Sequence, residues 1–248
     1  MGNPLQGRWT RRIERAAELE LEIPAAAELL RFYGTIARFQ RDIADRDLPP
    51  GPFSAHPAQV PEPLCQDMMR LVDLLRRSAP PQLAGAAMDL WMKDDWDPAD
   101  PAPRFIARAV VQPYAEGCAR RDSAPAAAGG SCCPFCGERP VCAVLRPEGD
   151  GGKRSLECSL CFTEWEFHRM RCPACGNEDQ DRLPVYTAGQ FPHLRVEACD
   201  ACNTYIKCID LTRDGLAVPE VDEIAAAALD LWAAEEGYAK LQPNLLGL

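Results

Sequence analysis

The sequence predicts an α+β chain: an N-terminal all-α helical domain, two tandem zinc-ribbon-like β modules that each carry four cysteines, and a C-terminal helix. Three observations predict it. Apolar residues recur at three- and four-residue steps through the first 118 residues. Four Cys-x-x-Cys pairs crowd into residues 133–202. Helical periodicity then returns after Pro219. The expected boundaries are 1–118 for the helical domain, 119–131 for a linker, 132–170 and 171–218 for the two ribbons, and 219–248 for the last helix and tail.

Each element has a local reason. Pro24 suits the first turn of a helix, where its missing N–H costs little, and Leu29, Phe32, Ile36 and Phe39 make its apolar stripe. Leu64, Met68, Leu71 and Leu75 repeat the pattern, which Pro80 and Pro81 end. A short third helix is expected over Leu83–Lys93. A fourth is expected over Phe105–Glu116, with Ile106, Val110 and Tyr114 on one face and Pro113 kinking or ending it. ARRDSAPAAAGGS, residues 119–131, has no periodicity and reads as the linker. Five β-rich stretches follow: Val141–Leu145, Glu164–Met170, Leu183–Thr187, Leu194–Ala198 and Thr204–Leu211. Pro219 opens the last helix, Val221, Ile224, Ala228 and Leu231 or Trp232 form its stripe, and Gly237 stops it. The tail LQPNLLGL is too apolar to be left in water, so it should dock on the protein or on a partner.

The totals narrow the function. The 248 residues carry 27 Lys and Arg against 37 Asp and Glu, a formal net charge of -10. Residues 132–248 hold 11 of the basic and 19 of the acidic residues, so the ribbon half is the acidic half. This disfavours a nucleic-acid binder, which needs clustered positive charge. No apolar run approaches the roughly 18 residues of a membrane span, and the amphipathic N-terminus has no apolar signal-peptide centre, so a cytoplasmic protein is expected. In that compartment thiols stay reduced. Eleven of the 13 cysteines nevertheless fall between Cys132 and Cys208, which points to metal.

The four pairs are Cys133/Cys136, Cys158/Cys161, Cys172/Cys175 and Cys199/Cys202. A Cys-x-x-Cys turn aims two sulfurs at one point, and two such turns complete a tetrahedral site for zinc or a single iron. Sequential pairing leaves loops of 21 and 23 residues, each long enough for a hairpin; nested pairing leaves 10 and 62, and the longer loop costs more entropy to close. CPFCGE and CPACGN also open alike, with Gly after the second Cys. Sequential pairing is therefore expected, with all eight as ligands of two mononuclear ions and a mainly structural role for them. A redox use of the Cys-x-x-Cys motif is the alternative, but the βαβ pattern of a thioredoxin-like fold is missing. Cys132 abuts a ligand and competes with Cys133. Cys65, Cys118, Cys142 and Cys208 are expected as small buried hydrophobes. His168 is expected to be an exposed or hydrogen-bonded strand residue, and His56 and His193 carry no motif. No Gly-rich phosphate loop, Gly-x-Ser-x-Gly elbow or His-Glu-x-x-His is present, so a binding protein is expected rather than an enzyme.

CSLCFTEWEFHRMRCPACG, with EACDACNTYIK from Glu197 to Lys207, resembles the family of the formate dehydrogenase accessory protein FdhE. CPFCGERPV, the acidic C-terminal helix with EEGYAK, and the tail are similar too, so the resemblance covers about residues 132–248. It implies a cytoplasmic assembly factor for the molybdenum- or tungsten-containing catalytic subunit of formate dehydrogenase. It also implies rubredoxin-like sites, which makes iron a rival to zinc. Glu164, Trp165, Arg169, Glu197, Tyr205 and Lys207 become candidates for the partner surface, against a plainer reading of Trp165 and Tyr205 as packing on the knuckles. Glu166 departs from the family pattern, which carries His there. The alternative function is an iron-containing redox protein that protects or reduces the client's active site.

Overall fold

The computed structural model describes residues 4–44, 62–79, 101–122, 130–149 and 151–248. Its helical part consists of α1 (Pro4–Glu22), α2 (Ala27–Ala44), α3 (Glu62–Ser78) and α4 (Pro101–Arg121). The strands are β1 (Pro140–Glu148), β2 (Gly151–Cys158), β3 (Glu164–Glu166), β4 (Val185–Thr187), β5 (Leu194–Cys199), β6 (Thr204–Asp210) and β7 (Ala239–Lys240). Two helices, α5 (Pro219–Ala225) and α6 (Ala227–Glu235), precede β7.

The expected architecture is present, with local differences that have physical causes. α1 was not expected, because Arg12 and Arg15 sit among the residues it buries and interrupt its apolar stripe. Pro24 separates it from α2 through one 3-10 turn over Pro24–Ala26. α4 extends beyond Phe105–Glu116 in both directions, so Ala119–Arg121 are helical rather than linker. Pro113 lies inside it, and most positions from Phe105 to Ala119 are buried. It is the central helix, which is why a single stripe understates it. The strand expected over Glu164–Met170 stops at Glu166, and β2 was missed. The last helix breaks at Ala226 into α5 and α6. Leu83–Lys93, Pro80, Pro81 and His56 lie outside the described residues.

The two ribbons share one sheet. Its order is β3-β2-β1-β6-β5-β4, with β7 added to β6. β1 and β2 form an antiparallel hairpin, as do β5 and β6; β1 and β6 join them in parallel, Ala143 beside Cys208 and Leu145 beside Asp210. The joint is buried on both faces, with side chains alternating at period two. Ala143, Leu145, Ile206 and Cys208 face a core shared with α2, α3 and α4. Val144, Tyr205 and Ile209 face a second core under Leu229 and Ala233 of α6. The sheet is thus the middle of three layers. The tail docks on the protein: Leu241, Asn244 and Leu245 are buried, and Asn244 Nδ2 donates to Glu223 Oε2 at 2.7 Å.

Candidate metal centre

All four knuckles are built the same way. The residue after the second cysteine is left-handed in each: Gly137 (φ 80°), Phe162 (φ 53°), Gly176 (φ 78°) and Asn203 (φ 52°). That turn brings backbone N–H groups toward sulfur. Phe135 N donates to Cys133 Sγ at 3.4 Å, Leu160 N to Cys158 Sγ at 3.4 Å, and Ala174 N to Cys172 Sγ at 3.3 Å. Such donors stabilise thiolates. In the two opening knuckles Gly137 N and Gly176 N also return to the carbonyls of Cys133 and Cys172.

The knuckles meet in sequential pairs. Cys133, Cys136, Cys158 and Cys161 form one cluster and Cys172, Cys175, Cys199 and Cys202 the other, with all four sulfurs of each within 4.8 Å. A tetrahedral four-sulfur site with bonds of about 2.3 Å has edges of about 3.8 Å. In the second cluster Cys172–Cys202 and Cys175–Cys199 are each 3.8 Å apart. The first is tighter, at 3.5 Å for Cys133–Cys161 and 3.3 Å for Cys136–Cys158. Both donor sets therefore fit one tetrahedral ion, and each cluster can hold a metal. Burial lifts the Cys172 thiol to about 12 and raises Cys158 well above the ordinary thiol value. An ion would have to displace those protons, so loading should strengthen with rising pH.

The clusters differ in setting. The first lies inside the main core, with Cys133, Cys158 and Cys161 buried. α4 clasps it: Arg108 and Gln112 both donate to the carbonyl of Ser159, at 3.0 and 2.9 Å. α1 holds the adjoining turn, where the Phe162 ring meets Trp9 edge-on at 6.2 Å and the Arg12 guanidinium at 4.2 Å. That packing holds a bulky residue in a left-handed conformation that is costly without it. The second cluster is at the surface, with Cys175 exposed and Cys202 half-buried.

Two family models match in succession: "FdhE, central domain" over residues 132–169 and "FdhE, C-terminal domain" over residues 170–246. Residues 132–246 are thus similar to two consecutive FdhE domains, 115 of the 248 residues. The stretch that matches the FdhE central domain carries the first cluster and the stretch that matches the C-terminal domain the second, with the boundary between knuckles two and three. The chain is 42% identical over 116 residues to a "Protein FdhE homolog" of Aquifex aeolicus, covering 46% of this chain and 41% of that protein. It is 33% identical over 113 residues to "Protein FdhE" of Escherichia coli, covering 45% and 36%. The match therefore spans about two fifths of the length of these curated FdhE relatives. The crystal structure of the FdhE protein from Pseudomonas aeruginosa shares the fold, with a TM-score of 0.76 at 23% identity over 99% of this chain and 97% of that one.

The six residues expected at a partner surface scatter. Lys207 is fully buried, between Glu223 at 2.8 Å and Asp230 at 2.7 Å. Tyr205 is buried too and donates to Asp230 at 2.7 Å. Trp165 is buried with its Nε1 donating to the Gly130 carbonyl at 2.8 Å. These three are corrected from surface to interior, because each has a polar tip satisfied inside the fold and an apolar body in a core. Glu197 accepts from Arg154 and Arg195, at 2.7 and 2.6 Å. Glu164 pairs with Arg146, and Arg169 is exposed. Glu166 is exposed and pairs with Lys153 at 2.9 Å.

Of the other cysteines, Cys118, Cys142 and Cys208 are buried, and Cys132 is exposed and outside the first cluster. Cys65 is exposed rather than buried, since it stands one residue beyond the inward stripe of α3 that starts at Leu64. His168 is exposed. His193, Asp214 and Asp222 form a third grouping. Arg15 already supplies its cation, donating to Asp222 at 2.6 Å and Asp214 at 2.9 Å.

The sequence reading missed the buried charges that lock the layers together. Arg12 bridges Glu116 of α4 at 2.7 Å and Glu220 of α5. Lys207 and Lys240 share Glu223 and Asp230. The only signal for these was basic residues inside otherwise apolar stripes. Among the described residues no helix is long and apolar enough to cross a membrane.

Proposed function

We propose that this chain is a cytoplasmic assembly factor that binds the catalytic, molybdenum- or tungsten-containing subunit of formate dehydrogenase and supports its maturation, by binding rather than by catalysis. The reading rests on one observation: consecutive FdhE central and C-terminal domains with eight cysteines gathered into two complete four-sulfur clusters. Cys133, Cys136, Cys158 and Cys161 would hold one iron or zinc ion and Cys172, Cys175, Cys199 and Cys202 the other. Each ion would supply a cross-link between two knuckles. With four protein ligands and no open position, neither site is suited to activating a substrate. The first would fasten the sheet to the helices. The second, at the surface, would shape the face offered to the client.

Anaerobic affinity purification from a host expressing formate dehydrogenase tests this. The catalytic subunit is expected to co-elute with the wild-type chain and to be lost with Cys172→Ala. If that subunit is abundant in the lysate yet absent from the eluate, the reading fails.

A further inference from the structure

Beside the second cluster, between knuckle three and β4, lies a pocket of about 250 Å³. Its wall is apolar, and Met170 and Val185, 39% and 54% exposed, line it. They are two of the few large hydrophobic side chains the described residues leave in water. Its polar groups are one-sided. Arg154, Arg169, Arg171 and Arg195 line it against a single carboxylate, Glu197, which Arg154 and Arg195 already share. Arg169 makes no ion pair or hydrogen bond among the described residues. Arg171 reaches only Glu178, at 3.6 Å, and its Nε is buried without a hydrogen-bond partner. A chain of net charge -10 thus gathers four guanidinium groups at one apolar opening, where Arg169 stands unpaired among the described residues.

The same opening borders a sheet edge. β4 ends the strand order, and its far side is unpaired among the described residues. Val185 lines the arginine-lined pocket and also, with Tyr186, Leu229 and Trp232, a second apolar opening. A strand laid along β4 would send alternate side chains to these two sides.

We propose that this groove takes an extended acidic segment of a partner protein, added as a strand along β4 with its carboxylates on Arg169 and Arg171 and apolar side chains against Met170, Val185 and Trp232. The identity of that partner rests on the assembly-factor reading; the groove itself does not. Charge complementarity selects the occupant, since a basic or neutral strand would leave those guanidinium groups unanswered. Arg169, Glu197 and Tyr205 of the expected partner residues line this pocket, the latter two as part of its framework.

The test uses the full, metal-loaded chain and a fluorescein-labelled (Glu-Val)5 peptide, followed by anisotropy. Binding is expected to weaken as sodium chloride is raised. Arg169→Glu with Arg171→Glu should reduce affinity at least about tenfold, and Val185→Asp should reduce it independently, both at wild-type metal content. Lys153→Glu, away from the groove, should leave affinity unchanged. Equal binding of (Lys-Val)5, displacement of the peptide by inorganic phosphate alone, or full affinity in both groove variants would overturn the proposal. If Arg171→Glu costs metal, Val185→Asp and Arg169→Glu singly decide the matter. The same variants separate the two readings in the affinity purification. A client recovered equally by wild type and the groove variants removes the groove and leaves the assembly-factor reading. Peptide binding as expected, with no client recovered, removes that reading and leaves the groove.

Discussion

Glu157 shows what a single buried carboxyl costs. It is 1% exposed in the middle of β2. Burial, with Glu220 and Glu164 nearby, pushes its titration well above the ordinary carboxylate range. A group whose folded value is raised favours the folded state at low pH and loses that advantage as pH climbs past its unfolded value. Glu157→Gln should therefore raise stability at pH 7 by about 1 kcal/mol or more, with little change at pH 4; thermal unfolding at the two pH values checks it. Arg12 is the opposite case, a buried charge with two carboxylates and two aromatic rings around it. Arg12→Ala leaves Glu116 and Glu220 without it and should cost about 3–5 kcal/mol in urea unfolding. A cost under about 1 kcal/mol would mean the network is replaceable. The eight clustered cysteines were legible because a Cys-x-x-Cys turn is local geometry. Lys207 was misplaced as a surface residue, since nothing in its neighbours' identity reveals that Glu223 and Asp230 fold over it.

At the scale of elements, the two hairpins carry clusters of unequal accessibility. Exchange should follow from it. With excess chelator, the ion expected in the second cluster should leave at least about tenfold faster than the one in the first, because release of the latter needs the core to open locally. Cys175→Ser should abolish the fast phase alone, and Cys158→Ser should destabilise the whole chain. A single exchange rate for both ions would contradict the asymmetry. Hairpin existence was legible in the sequence from the loop lengths between knuckles. The parallel joint of β1 to β6 was not. It pairs residues more than sixty positions apart and depends on both faces being covered, a property of the assembled layers. α1 escaped notice for a related reason: its buried face includes arginines whose partners lie on α4 and α5.

For the whole molecule, the interlayer ion pairs set the response to acid. Burial alone would raise Glu223, but Lys207 and Lys240 outweigh it and hold its carboxyl at about 2, from an ordinary value of 4.5. Glu116, Glu197 and Asp222 are likewise held low against burial, by Arg12, by Arg154 with Arg195, and by His193 with Arg15. Their contribution is complete above the ordinary carboxylate range and is lost as pH falls through the folded values. The stability gap between wild type and Glu223→Gln should thus be large at pH 6 and shrink between pH 4.5 and 2; a gap independent of pH would refute this. These pairs also span the chain. Arg12 is made well before its second carboxylate, Glu220, which comes 208 positions later. The helical half consequently cannot finish on the ribosome before the cysteine-rich half emerges behind it. Until then α1 can pack on α2 and pair Arg12 with Glu116, but Arg15 lacks Asp214 and Asp222, and any ribosome stall before Glu220 leaves a nascent chain with these interlayer pairs half made.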